Sequence, residues 1–126
     1  MVPVFDEICK QYMWKQLAEG FIEQEFTDIG RWWGNDPKKR EVAEIDILGS
    51  VDKDTALFGE CKWKNENIDL SVLEKLVERS RLFPQYNNKF YYLFSKTGFT
   101  SGCIEKANEM GNVRLVSYED MWDKRG

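Results

Sequence analysis

The sequence contains no histidine. That absence removes the usual general base of nucleophilic triads and the commonest zinc ligand. Three cysteines, Cys9, Cys61 and Cys103, stand far apart and form no C-x-x-C pair. They argue against structural zinc and for a reduced, cytoplasmic setting. No G-x-x-x-x-G-K-[ST] occurs, so no nucleotide site is expected in this chain. No apolar run approaches membrane-spanning length and no basic leader precedes one, so no membrane partner is expected. Positive charge is not in excess either: 18 Lys and Arg face 22 Asp and Glu, a net charge of −4. Composition therefore announces no nucleic-acid footprint. The deficit sits at the front, where residues 1 to 30 carry six acids against Lys10 and Lys15, and the rest of the chain is balanced. There is no internal repeat, low-complexity stretch or linker. At 126 residues, 42% of them hydrophobic, the chain is long enough for one real core and is read as a single domain, residues 1 to 126.

What is present is organised around one hairpin, AEIDILGSVDKDTALFGECKW, residues 43 to 63. Its first arm alternates, with Glu44, Asp46 and Leu48 on one face and Ile45 and Ile47 on the other. Its second arm puts Phe58, Glu60 and Lys62 together on one face. The polar triplet Asp52-Lys53-Asp54 makes the loop. If Val51 pairs with Thr55, Asp46 falls opposite Glu60, and Glu44 falls opposite Lys62. Two opposed carboxylates on one face cost a few tenths to about 1 kcal/mol. A divalent cation would offset that cost. An exposed, salt-bridged strand face is the plain alternative.

Around the hairpin, apolar residues at three- and four-residue steps predict a helix from about Pro3 to Glu19, stopped by Gly20. Asp6 and Glu7 lie in its first turns, where acids suit the helix dipole. Residues 27 to 33 predict a strand, and residues 34 to 40 a loop. Of Trp32 and Trp33, at most one should be exposed, because neighbours on a strand face opposite ways. After residue 63 come a helix capped by Asp69, or by Ser71 in a capping box with Glu74, and ended by Pro84. A buried strand over residues 89 to 95 follows, then a helix from Thr100 or Ser101 to Met110. A last strand, residues 113 to 117, leads into a terminal helical turn. The first three strands suit an antiparallel meander, and the later ones, each reached through a helix, suit parallel pairing. The expected fold is α/β (α+β): a mixed sheet flanked by helices.

The chemistry that fits the hairpin is phosphodiester hydrolysis. Hard cations such as Mg²⁺ or Mn²⁺ take carboxylate and carbonyl oxygens. Asp46 and Glu60 offer the carboxylates and Cys61 a backbone carbonyl, while Lys62 would position water or stabilise developing charge. Arg31, Lys38, Lys39 and Arg40 are the candidates for nucleic-acid contact.

Asp46 followed by Glu60-Cys61-Lys62 resembles the PD-(D/E)XK nuclease superfamily, with Ile45 in place of the nominal proline. More narrowly, IGRWWG (residues 29 to 34), EIDIL (44 to 48), GECKW (59 to 63), FDEICKQYM and FSKTGFT resemble the nuclease-like C-terminal domain of prokaryotic, mainly archaeal, P-loop ATPases. The resemblance implies a restriction-endonuclease-like αβββαβ core with an added αβ unit. It implies Mg²⁺-dependent cleavage of DNA, an ATPase domain as partner, and a homodimer, since many such nucleases cut as dimers. It also brings an acid of the first helix into the site. The matching position is Asp6, where the family usually shows Glu, and Glu7 is its neighbour; the contributing acid is one of these two. A catalytically weak or inactive module for nucleic-acid binding, regulation or protein interaction is the alternative reading.

Overall fold

A computed structural model describes residues 4 to 20, 22, 24 to 38 and 40 to 122. The element order is α1 (Val4–Ala18), β1 (Asp28–Asp36), β2 (Glu41–Ser50), β3 (Thr55–Lys62), α2 (Leu70–Ser80), β4 (Asn88–Ser95), α3 (Ser101–Met110), β5 (Val113–Ser117) and α4 (Tyr118–Met121). The five strands lie in one sheet in chain order. β1, β2 and β3 are antiparallel neighbours, and β4 and β5 join in parallel. Meander and crossovers thus follow the pattern expected from which strands are separated by helices.

Two cores sandwich the sheet. On one side Phe5, Cys9 and Met13 of α1 recur every four residues and meet Ile29, Ile47, Leu57, Cys61, Tyr92 and Phe94. On the other side Leu73 and Leu76 of α2 and Cys103 of α3 cover Ile45, Phe58, Tyr91 and Leu93. Both crossover helices therefore lie on the same face, as two successive crossovers of one hand require. β4 is flanked by strands on both edges and covered on both faces, which explains its unbroken apolar run FYYLF, residues 90 to 94.

Local signals account for most boundaries. Asp69 caps α2 by accepting a hydrogen bond from the Ser71 N–H, at 3.0 Å. The alternative of a Ser71 box is not used; α2 begins one residue before Ser71. α2 also ends at Ser80, before Pro84, with Arg81 as its C-cap. Thr100 caps α3, and Gly111 ends it in a left-handed conformation (φ 78°). Pro3, the expected start of α1, lies outside the described residues. β1 runs to Asp36, beyond the expected end, so the loop at residues 34 to 40 shrinks to a tight turn carrying Lys38 and Arg40. Trp32 is half-buried against Phe83 (ring centroids 4.9 Å apart), whereas Trp33 is 64% exposed.

One irregularity matters more than these. In the β1–β2 ladder Gly30 pairs with Leu48, but Trp32 pairs with Ile45. Arg31 thus faces two residues, Asp46 and Ile47, which is a β-bulge on β2. The extra residue shifts the side-chain alternation. Ile45 and Ile47, expected on one face, enter opposite cores.

Gly49, opposite Ile29, shows how tightly this part of the meander packs. A Cβ there would lie 2.6 Å from Ile29 Cγ2 and 3.2 Å from the Asp28 carbonyl. Gly49→Ala should therefore cost about 1–3 kcal/mol in denaturant unfolding. Gly30→Ala, where a Cβ would meet nothing within 4 Å, should stay within about 0.5 kcal/mol of the parent. Equal effects of the two would contradict the packing described.

Candidate active site

The hairpin register is the one inferred from sequence over its paired part: Ser50–Ala56, Gly49–Leu57, Leu48–Phe58 and Ile47–Gly59. Pairing then stops, one step short of Asp46 and Glu60. At that point the bulge turns Asp46 into the gap between the strands. Its Oδ2 accepts the Cys61 backbone N–H at 2.9 Å, replacing a main-chain partner. A residue's N–H and C=O leave a strand by the same edge, so the Cys61 carbonyl also faces this gap. The next residue faces the other way, its carbonyl accepting from Lys96 N–H at 3.1 Å.

Besides β2, four elements bring side chains to this fork. From α1, Asp6 is only 6% exposed; it belongs to the buried face of the helix and is not a surface acid matched to the dipole. One oxygen each of Asp6 and Asp46 and the sulfur of Cys61 all lie within 4.8 Å of one another. From β3, Glu60 is 8% exposed and Lys62 Nζ lies 3.4 Å from Glu60 Oε1. From β1, Arg31 Nη2 lies 3.2 Å from Glu44 Oε2 and 3.9 Å from Asp46 Oδ1. The Arg79 guanidinium of α2 donates to the Glu44 carbonyl at 2.7 Å, steadying the strand beside the bulge.

Several expected placements are revised. Glu44 faces Trp33 and pairs with Arg31, not with Lys62, because the β2–β3 ladder has already ended. Glu7 points to solvent and pairs with Lys10 at 3.0 Å, leaving Asp6 as the helix acid beside Asp46. Arg31 lies within the carboxylate group and not on an open face. Lys38 and Arg40 sit exposed at the β1–β2 turn, and Lys39 lies outside the described residues. That turn is six residues from Asp46, about 20 Å along a strand. Arg31's placement was hard to foresee, since a bulge leaves no mark in composition. A lone arginine inside DIGRWW, otherwise apolar at its centre, was the available hint.

The electrostatics follow from burial. Burial, reinforced by the Asp46 charge and its hydrogen bond, pushes the Glu60 pKa up to about 8, against the pull of Lys62. Burial and then Asp46 raise Asp6 to about 6. The Cys61 thiol is pushed well above its ordinary value, first by its hydrogen bond with Cys9 and then by burial. It is therefore protonated and a poor ligand for a hard ion. Burial opposes the charge on Arg31, but its hydrogen bond to Glu44 and the charges of Glu44, Asp46 and Asp6 outweigh that and raise its pKa. The oxygen donors left for a cation are Asp6 and Asp46, which lie within 4.8 Å of each other, with Glu60 beside Asp46 and the Cys61 carbonyl facing the gap, a set that suits a hard divalent cation.

Comparison with known proteins agrees with this architecture. Residues 1 to 80, which include every residue of the fork, match the family DUF234, described as archaeal and bacterial proteins of unknown function. No curated protein matches the sequence. Among solved structures, the MspJI restriction endonuclease in complex with a 27-mer oligonucleotide superposes with a TM-score of 0.62 at 11% identity. That match covers 93% of this chain and 26% of MspJI. The crystal structure of AF1548, a protein of unknown function, superposes with a TM-score of 0.57 at 18% identity, over 94% of this chain and 60% of that one. The chain thus spans less than two thirds of either protein. At such identities the likeness concerns the fold, and the fold is restriction-endonuclease-like.

The raised carboxyl pKa values make stability depend on pH. An acid whose folded pKa exceeds its unfolded value binds protons more tightly in the native state, so unfolding free energy falls as pH rises between the two values. For Glu60 that window runs from about 4.5 to about 8, and for Asp6 from about 3.8 to about 6. The metal-free melting temperature should drop across pH 5 to 8 and drop less in Glu60→Gln. A flat or rising profile would contradict the burial of these carboxyls.

Proposed function

We propose that this chain, which belongs to the DUF234 family, is a metal-dependent nuclease module that hydrolyses phosphodiesters of DNA. One observation carries the reading. Asp6, Asp46, Glu60, the Cys61 carbonyl and Lys62 converge where β2 and β3 separate. Asp46 stands against both Asp6 and Glu60, and buried carboxyls so placed repel unless protonated or shared with a cation. Natural folds keep such strain where it serves a site.

Asp46, Glu60 and the Cys61 carbonyl, joined by Asp6, would hold one Mg²⁺ or Mn²⁺. When bound, that ion supplies charge neutralisation at a phosphoryl oxygen and an acidified water. The chain's residues do the rest. Lys62, held by Glu60 at 3.4 Å, keeps its ammonium at the mouth of the fork, where it can orient the attacking water or meet the negative charge that develops on phosphate. With Glu60 beside its ammonium, Lys62 is placed for a positioning and electrostatic role. Asp46 anchors the arrangement, because its second oxygen is fixed by the Cys61 N–H. Water attacks phosphorus and gives up a proton to solvent, the phosphorus–oxygen ester bond breaks, and the leaving oxygen takes up a proton from solvent.

Lys38 and Arg40, exposed at the β1–β2 turn, suit backbone phosphates away from the cut. DNA as substrate, a second copy of the chain, and a P-loop ATPase domain elsewhere in the protein are the partners this reading proposes. A binding module with a weakened site is the second reading, favoured by the short side chain of Asp6 where a longer acid would reach further into the fork.

The test is cleavage of a DNA panel in Mn²⁺ by purified protein. Asp46→Asn and Glu60→Gln should each lower the rate by at least about a hundredfold, and Lys62→Ala should lower it by a similar order. Cleavage by the Asp46→Asn, Glu60→Gln double variant at the parent rate would refute the assignment. Lys38→Ala with Arg40→Ala should leave the cleavage rate at saturating DNA intact. It should reduce the slope of log binding constant against log salt by about 1 to 2. An unchanged slope would remove the turn from the DNA interface.

A further inference from the structure

Arg31 is placed unlike a surface arginine. It stands opposite the bulge and reaches Glu44 at 3.2 Å and Asp46 at 3.9 Å. Its Nε is buried and meets no acceptor among the described residues. A guanidinium presents five N–H donors in a rigid planar fork, and a buried donor without a partner costs free energy. The fork is thus half used: it leans on two carboxylates and keeps one donor unsatisfied.

The charge balance of the site points the same way. Asp6, Glu44, Asp46 and Glu60 face Arg31 and Lys62, an excess of two negative charges when all are ionised. One divalent cation neutralises that excess. Such an ion must take Asp46, and Asp46 is the carboxylate that Arg31 touches at its longer, weaker contact. Cation and guanidinium compete for one oxygen group. The anion that an incoming substrate brings, a non-bridging phosphate oxygen, fits the planar donor fork of arginine.

Resting on the nuclease reading above, we propose that Arg31 is a counter-ion the metal displaces. It neutralises Asp46 until a divalent cation arrives, then turns its guanidinium, with the unpaired Nε–H, to a non-bridging oxygen of the phosphodiester. Arrival of the ion and the grip on substrate are then coupled through one side chain. Glu44, paired with Arg31 at 3.2 Å, acts as the tether about which it turns.

Calorimetric titration with Mn²⁺ in the absence of DNA separates this role from a structural one. Arg31→Met should bind Mn²⁺ about tenfold more tightly than the parent, because a competing positive charge is gone. Its kcat on DNA at saturating Mn²⁺ should nonetheless fall by about tenfold or more. Arg31→Lys keeps the charge and should hold the Mn²⁺ Kd within about threefold of the parent while losing part of kcat. Weaker or unchanged Mn²⁺ binding by Arg31→Met, or an unchanged kcat, overturns the proposal. The unmodified chain gives a second readout if Arg31→Met fails to fold. Its Arg31 Nε–H nuclear magnetic resonance should shift on adding Mg²⁺, and a resonance that ignores Mg²⁺ overturns the proposal as well. Asp46→Asn in the same titration distinguishes the two levels. If it binds Mn²⁺ as well as the parent, the metal site itself is wrong. If it loses binding while Arg31→Met gains none, only the role of Arg31 fails.

Discussion

The fork depends on one hydrogen bond: the Cys61 N–H donated to Asp46 Oδ2. A main-chain donor at the end of a ladder needs an acceptor. Here a side chain provides it, and so a carboxylate stands where strand pairing would otherwise continue. The bulge makes this affordable, because it supplies the extra residue that lets β2 swing from one partner pattern to another. Ile45 and Ile47 then anchor β2 in both cores, one on each side of the sheet. The site is thus a local interruption of a sheet that is held firmly just above and below it.

The burial of charge follows from that geometry. Asp6 rides on the same helical face as Phe5, Cys9 and Met13, so packing α1 against the sheet carries an acid inward. Glu60 is fixed between Phe58 and Cys61 on a strand covered on both sides. Neither carboxyl can retreat to water without disturbing a core. Arg31 and Lys62 offset part of the repulsion and leave the group with an excess of negative charge when all are ionised.

Much of this was readable in the residues, and the limits are physical. The hairpin register came from one loop and one alternating pattern, because side-chain period and loop length together determine pairing. Strand directions came from which connections contain helices. α3 was marked at both ends by Thr100 and Gly111. The bulge was not readable, since it changes no residue type and shifts only which face each side chain takes. Simple alternation puts Ile45 and Ile47 on the same side, and an uninterrupted ladder sets Glu44 against Lys62 and not beside Arg31. The choice between Asp6 and Glu7 was equally out of reach: adjacent acids on a helix differ by about 100° in direction. Only docking of α1 decides which one is buried. The likeness of EIDIL and GECKW to a nuclease superfamily pointed to the fold that the TM-score of 0.62 to MspJI then showed.

The account comes down to whether the fork is a cation site. Crystals grown or soaked with Mn²⁺, with data collected at its absorption edge, address that directly. An anomalous peak is expected, bounded by Asp6, Asp46, Glu60 and the carbonyl of Cys61, with Arg31 moved off Asp46. Data of adequate quality with no peak there, or with Mn²⁺ bound only at exposed carboxylates such as Glu7, would contradict it.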